Sequence, residues 1–275
     1  MRGAGDRMLR ARVLTVVLGL PPFLVCLWLG NWAWVSVVLV VAVGGGLEAT
    51  RLLQLERRGL PLALAGAAGT VLAAGGGERT LALTITLIVL LSLAMDAVFF
   101  PRSPGAGRVI LAALYPALGL AHMVLLRQIS GDWAWCLFLL AVVWMSDIGA
   151  YFGGYAWGRH RLAPRLSPGK SWEGFLGGLG AAALVGTVVG YTGSGLLSAQ
   201  TGGGGVWLTP GWTVGLSLVV ALAGAAGDLA ESALKRAAGK KDSGWLLPGH
   251  GGFLDRFDSL VFAAPLLYWL YVYLR

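Results

Sequence analysis

The run TLALTITLIVLLSLAMDAVFF, residues 80–100, holds one ionisable side chain, Asp96, in a stretch long enough to cross a hydrocarbon core of about 30 Å. Lipid is the natural solvent for such a segment, and similar runs recur along the chain. Cutting the sequence at its polar interruptions gives about nine spans, at roughly residues 13–30, 32–50, 60–77, 80–100, 108–126, 133–152, 173–193, 212–234 and 258–274. The expected fold is an all-α polytopic integral membrane protein. Composition agrees: of 275 residues, 57% are hydrophobic and 12% charged, an apolar share above that of an ordinary soluble domain.

Lys and Arg test the span count, because loops on the cytoplasmic side of a membrane carry the excess of positive charge. With the N-terminus inside and the C-terminus outside, nine spans put 18 of the 21 basic residues on the cytoplasmic side and only Arg79, Arg127 and Arg275 on the other. A missed span would scramble that partition. Trp28, Trp32, Trp34, Trp133, Trp135, Trp207, Trp212 and Trp269 then fall near the outer face, where an indole keeps its ring in the interface and its N–H wet. Gly149/Gly153, Gly174/Gly178 and Gly186/Gly190 have the spacing that lets helices approach closely. Cys26 and Cys136 have neither disulfide-framework nor zinc spacing. Residues 201–205 read as a flexible outer linker, and Arg2, Arg7, Arg10 and Arg12 precede a first anchored span rather than a cleaved leader.

Ionisable groups inside spans are costly and mark function. Asp96, Asp147, Asp228 and Glu231 all fall in the last turns of spans that run inward, and Asp255 and Asp258 lie where the final span leaves the inner face, so the chemistry is expected at the cytosolic surface. Glu48 and Asp96 are expected to be solvated interface charges or partners of nearby Arg, and His122 and His160 to be structural or interfacial. On a helix, Asp228, Glu231, Ser232 and Lys235 stand at i, i+3, i+4 and i+7 and line one face. Asp255 and Asp258 would share another. Carboxylates converging from separate helices suit Mg²⁺, which keeps waters and takes phosphate oxygens as further ligands. Lys235, Arg236, Lys240, Lys241 and Arg256 offer positive charge to several phosphates at once. Gly251-Gly252 suits either a turn whose N–H groups meet a phosphate or a cap before the last helix. The segment SPGKSWEG, residues 167–174, suits either an anion site at a helix start or a plain basic loop.

The segments SALKR at 232–236 and KDSGWLLPGHGGFLDRFD at 241–258, with DIGAYFG at 147–153 and SPGKSWEG at 167–174, resemble the motifs of phosphatidate cytidylyltransferases. The resemblance covers roughly the C-terminal half. It divides the chain into N-terminal membrane helices, 1–100, and a catalytic membrane domain, 101–275. It departs from the family at Gly169, where relatives often carry Lys, and at Ser171, where they often carry Thr.

The resemblance implies CTP and phosphatidate as substrates, CDP-diacylglycerol and pyrophosphate as products, and Mg²⁺ as the divalent cation, with room for a second cation. It also implies a membrane-lipid environment in a cell inner membrane, an active site facing the cytosol, often a homodimer, and no nucleic-acid partner. Asp228, Lys235, Arg236 and Asp255 are the expected catalytic residues. Ser167, Lys170, Ser232, Lys241, His250, Gly251, Gly252 and Arg256 are the expected substrate contacts, and Asp228, Asp255 and Asp258 the expected metal ligands.

Two other readings compete. An ion-coupled transporter would also carry intramembrane carboxylates, but near the midplane, and a lipid-alcohol kinase or CDP-alcohol phosphotransferase would share the hydropathy. The charge partition generates a direct test. Reporter fusions at the two termini should report opposite sides of the membrane, the N-terminus cytosolic, and two termini on one side would refute the odd number of spans.

Overall fold

A backbone amide in lipid has no water to turn to, so a spanning segment closes its hydrogen bonds on itself as a helix. The computed structural model, which describes residues 17–99, 105–131, 133–201, 210–244 and 251–274, is built almost wholly that way. The four N-terminal arginines, Trp207, residues 202–205 and His250 lie outside the described residues, as does the side chain of Asp96.

The helices are α1 (Val17–Leu29), α2 (Asn31–Leu52), α3 (Leu60–Gly75), α4 (Glu78–Phe99), α5 (Ala106–Ser130), α6 (Ala134–Trp157), α7 (Trp172–Thr201), α8 (Pro210–Ala237) and α9 (Leu254–Leu274). Among the described residues seven of them, α2 and α4 to α9, are long and apolar enough to cross a membrane, whereas α1 and α3 are shorter. Against the expectation of about nine spans, the described residues hold nine helices, of which seven have full crossing length. Large apolar side chains such as Leu83, Leu90 and Leu91 on α4 and Leu176 and Leu184 on α7 face outward. In water so much exposed apolar surface would promote association; here it is the face a bilayer covers, and the build is that of a multi-pass membrane protein.

One element departs from the all-α expectation. Between α6 and α7 the chain makes an antiparallel hairpin of β1 (Arg161–Ala163) and β2 (Ser167–Ser171), with Arg161 opposite Ser171 and Ala163 opposite Ser167. Pro168 and Gly169 oppose a helix, and the segment expected to precede the seventh span, as a helix-start anion site or a basic loop, pairs as a strand. The helix starts at Trp172, where the Ser171 hydroxyl accepts the Gly174 N–H at 3.1 Å as an N-cap. Arg236 Nε, at the end of α8, donates to the Leu166 carbonyl at 3.1 Å and ties the hairpin turn to that helix.

Close packing in lipid favours small residues, because burying apolar surface gains little when the surroundings are equally apolar. Gly149, Gly153, Gly174 and Gly178 bring α6 and α7 to backbone contact, and Gly186 and Gly190 turn toward Ser217 and Thr213 of α8. The main core lies among α2, α5, α6 and α9, around Trp34, Leu120, Leu126, Leu139, Leu267 and Tyr268. Trp34 corrects an expectation: it is 1% exposed, not interfacial, and its indole N–H donates to the Met123 carbonyl on α5 at 3.2 Å. Trp135, 8% exposed, packs edge-on against Tyr271. An internal partner or a neighbouring ring substitutes for the wet interface. Trp28, Trp32, Trp212 and Trp269 are exposed as expected.

A Cβ at Gly149 would stand 2.7 Å from the Gly177 carbonyl oxygen, and neither backbone can yield without parting the helices. Gly149→Leu should therefore destabilise the protein by about 1–3 kcal/mol, read as a lower melting temperature in detergent. Gly180→Ala, where nothing lies within 4 Å, should leave that temperature unchanged or raise it.

Candidate active site

One end of the bundle holds an open cleft of about 900 Å³. Its walls are the C-terminal turns of α6, strand β2 with the first turn of α7, the C-terminal half of α8, the segment after α8, and the first turn of α9. Asp147, Lys170, Asp228, Lys235, Lys241, Asp242, Asp255, Arg256 and Asp258 line it, with Tyr151 and Tyr155 on the α6 side. A membrane helix end is where charges of both signs can meet water, and here three spans, α6, α8 and α9, with β2 and the segment after α8, deliver them to one level.

The α8 face forms as its spacing predicts. Lys235 Nζ donates to Glu231 Oε2 at 2.8 Å one turn below, and the Ser232 hydroxyl reaches toward Asp228 Oδ1 at 3.5 Å. Lys235 also donates to Asp255 Oδ1 at 2.7 Å, so one ammonium bridges α8 and α9. Lys170 pairs with Asp228 across the cleft. Glu231 is fully buried. Its Oε1 finds no donor among the described residues.

Asp255 sits at the start of α9, where amide hydrogens of the first turn lack helical partners. Its Oδ2 accepts the Gly252 N–H at 2.9 Å and the Ser243 N–H at 3.0 Å, and lies 2.9 Å from the Ser243 hydroxyl. Gly251 makes this possible with φ of 82°, a backbone state that side chains disfavour. Behind the turn stands a residue that sequence reasoning misplaced. Glu48 of α2, expected to be a solvated charge, is 0% exposed. It accepts the Phe253 N–H at 3.0 Å, the Leu254 N–H at 2.9 Å and the Ser243 hydroxyl at 2.9 Å. Arg51, an arginine near it in the chain, is exposed, and its carbonyl receives Lys240 Nζ at 3.3 Å. Only the run of three glycines before Leu47, which strips the neighbouring surface of side chains, hinted that something packs there.

Of the expected site residues, the cleft gathers Lys170, Asp228, Lys235, Lys241, Gly251, Asp255, Arg256 and Asp258. Ser232 is buried on α8, Ser167 starts β2, and Arg236 bonds the Leu166 and Lys240 carbonyls. Gly252 is buried with its N–H committed to Asp255. His250 lies outside the described residues. His122 packs on Tyr268 far from this end, and exposed His160 pairs with Glu173 at 2.6 Å.

Mg²⁺ prefers oxygen ligands and commonly shares one or two carboxylates with substrate phosphates. The donor set fits that habit: Asp147, Asp228, Asp255 and Asp258 bring several carboxylates to one cleft. No three His, Cys, Asp or Glu side chains among the described residues close on a common point as a protein cage would require. Asp228 is paired with Lys170 and faced by the Ser232 hydroxyl, and Asp258 Oδ1 accepts the Ser259 N–H at 2.7 Å. Asp255 has its lone pairs taken by Lys235, Ser243 and Gly252, so it would become a ligand only if Lys235 turned elsewhere.

A model described as the cytidylyltransferase family matches residues 10–274. The chain is similar to phosphatidate cytidylyltransferase of Brucella suis biovar 1, 46% identical over 162 residues covering 56% of each chain. It is also similar to phosphatidate cytidylyltransferase of Staphylococcus aureus, 40% identical over 150 residues covering 54% of each. In these matches the chain spans just over half the length of the curated relatives.

Removing one partner of a buried ion pair strands the other at a cost of about 3–5 kcal/mol. Lys235→Met, which leaves Glu231 and Asp255 without their shared cation, should lower the melting temperature in detergent by several degrees. The double variant Glu231→Gln with Lys235→Met should recover part of the loss, and equal melting temperatures for all three proteins would refute the bridge.

Proposed function

Since the chain belongs to the cytidylyltransferase family, we propose that it transfers the cytidylyl group of CTP to phosphatidate, giving CDP-diacylglycerol and pyrophosphate at the cytosolic face of a cell inner membrane. The observation that carries this reading is the composition of the cleft: Lys170, Lys235, Lys241 and Arg256 beside Asp147, Asp228, Asp255 and Asp258, at the end of apolar helices. A triphosphate and a lipid phosphate are polyanions that need cationic partners. The lipid must keep its acyl chains in the bilayer while its headgroup meets a soluble nucleotide.

A phosphatidate oxygen forms a bond to the α-phosphorus of CTP as the bond from that phosphorus to the β-phosphate bridging oxygen breaks, and pyrophosphate leaves with the electron pair. The attacking phosphate is already an anion, so no side-chain nucleophile or strong base is required. The chain's task is to position and neutralise. Lys235 and Lys170 are held by carboxylates in the cleft and can exchange those partners for incoming phosphate oxygens. Lys241 and Arg256 extend the positive surface toward the departing pyrophosphate. A divalent cation held by Asp228 and Asp258, and by Asp255 once Lys235 has moved, would supply further charge neutralisation to the nucleotide phosphates.

Ion-coupled transport accounts for this cleft less well, since its carboxylates gather at one end of the bundle beside four cationic side chains, whereas a transporter places its ion site near the midplane. Purified full-length chain in detergent, given labelled CTP, phosphatidate and Mg²⁺, should yield lipid-soluble label. Asp228→Asn should cut the rate by about 10²-fold or more, and raising Mg²⁺ should recover little of it. Cation-coupled uptake into vesicles with no labelled lipid would overturn the proposal.

A further inference from the structure

The Glu48 carboxylate is buried completely, carries no basic partner in the ion pairs of the described residues, and spends both oxygens on one short piece of chain. Two of its donors, the Phe253 and Leu254 amides, open α9. They lie 205 and 206 residues further along the chain, so α2 supplies the cap that α9 does not make for itself. The third donor, the Ser243 hydroxyl, stands 2.9 Å from Glu48 Oε2 and 2.9 Å from Asp255 Oδ2. One hydroxyl proton serves two carboxylates, and the Ser243 amide donates to Asp255 as well. The packing leaves no slack: a Cβ on Gly244 or Gly252 would run into the Glu48 carboxylate.

We propose that Glu48 is a positioning residue for the cytidylyl transfer, acting through Ser243 and the α9 amides to hold Asp255, and with it Lys235, at the cleft. The inference rests on the proposed function and deepens it. Glu48 does not line the cleft, so it touches neither substrate. It fixes the turn from Gly251 to Asp255, and Asp255 in turn orients the Lys235 ammonium at 2.7 Å. A displacement of about 1 Å in such a constellation costs up to about 10²-fold in rate. A carboxylate suits the task because all three contacts are donors pointing inward. Gln in its place would turn an NH₂ group toward at least one of them.

The test compares wild type, Glu48→Gln, Ser243→Ala and the double variant in the labelled-CTP assay, well below their melting temperatures, with activity expressed per folded, monodisperse molecule. Each single variant should lower kcat by about 10- to 100-fold with KM for CTP within about threefold. The double variant should fall no further than the worse single, because both act through one link. A folded Glu48→Gln with kcat near wild type overturns the inference. So does a double variant whose loss is the product of the two singles. If Glu48→Gln does not fold, Ser243→Ala decides alone, since it leaves both amide contacts to Glu48 in place; unchanged kcat there overturns the inference. Wild-type chain that transfers no label overturns the proposed function and this inference together, whereas an active wild type with undiminished variants overturns this inference only.

Discussion

The first turn of a helix points amide hydrogens at whatever precedes it, and inside a membrane protein that must be a built-in acceptor. At α9 the acceptor is Glu48, from a helix at the other end of the chain. That contact ties α2 to α9, holds Ser243 between two carboxylates, and leaves room only for glycine at positions 244 and 252. The cleft depends on it, because Asp255 is one residue into the helix whose start Glu48 defines.

Charge balance is the second organising feature. Asp228 meets Lys170, and Asp255 and Glu231 share Lys235. A carboxylate desolvated without such a partner is expensive, so the lysines hold the anionic side chains in place while the cleft is open to water. The same lysines suit a polyanionic ligand, and their departure frees carboxylate oxygens for a cation. Stability of the cleft and affinity for the proposed polyanionic substrates would thus draw on the same few ammonium groups.

Much of this was legible in the sequence, where the physics is local. Apolar run length marked the helices, and i, i+3, i+4, i+7 spacing grouped Asp228, Glu231, Ser232 and Lys235 on one face of α8. Small-residue spacing pointed to the α6–α7 contact. What escaped was set by partners distant in the chain. Glu48 looks solvated until the α9 amides, about 200 residues away, are brought to it. Trp34 looks interfacial until the Met123 carbonyl answers its N–H. The β1–β2 hairpin was hidden because three- and five-residue strands produce no periodic signal, and Pro168 with Gly169 read as loop.

The contact of α6 with α7 through paired glycines has a mechanical consequence. Where two backbones touch directly there are no rotamers to exchange and no side chains to slide past one another, so the two helices can only pivot together, as one stiff lever. Tyr151 and Tyr155 ride on one arm of that lever and Ser171, Gly174 and Phe175 on the other, all facing the same cleft. The opposite wall, α8 with α9, is laced by Lys235 into a second stiff body. Any change in the width of the cleft would have to work against the seam where Gly186 and Gly190 of α7 meet Ser217 and Thr213 of α8, and against the Arg236 tether to the hairpin turn.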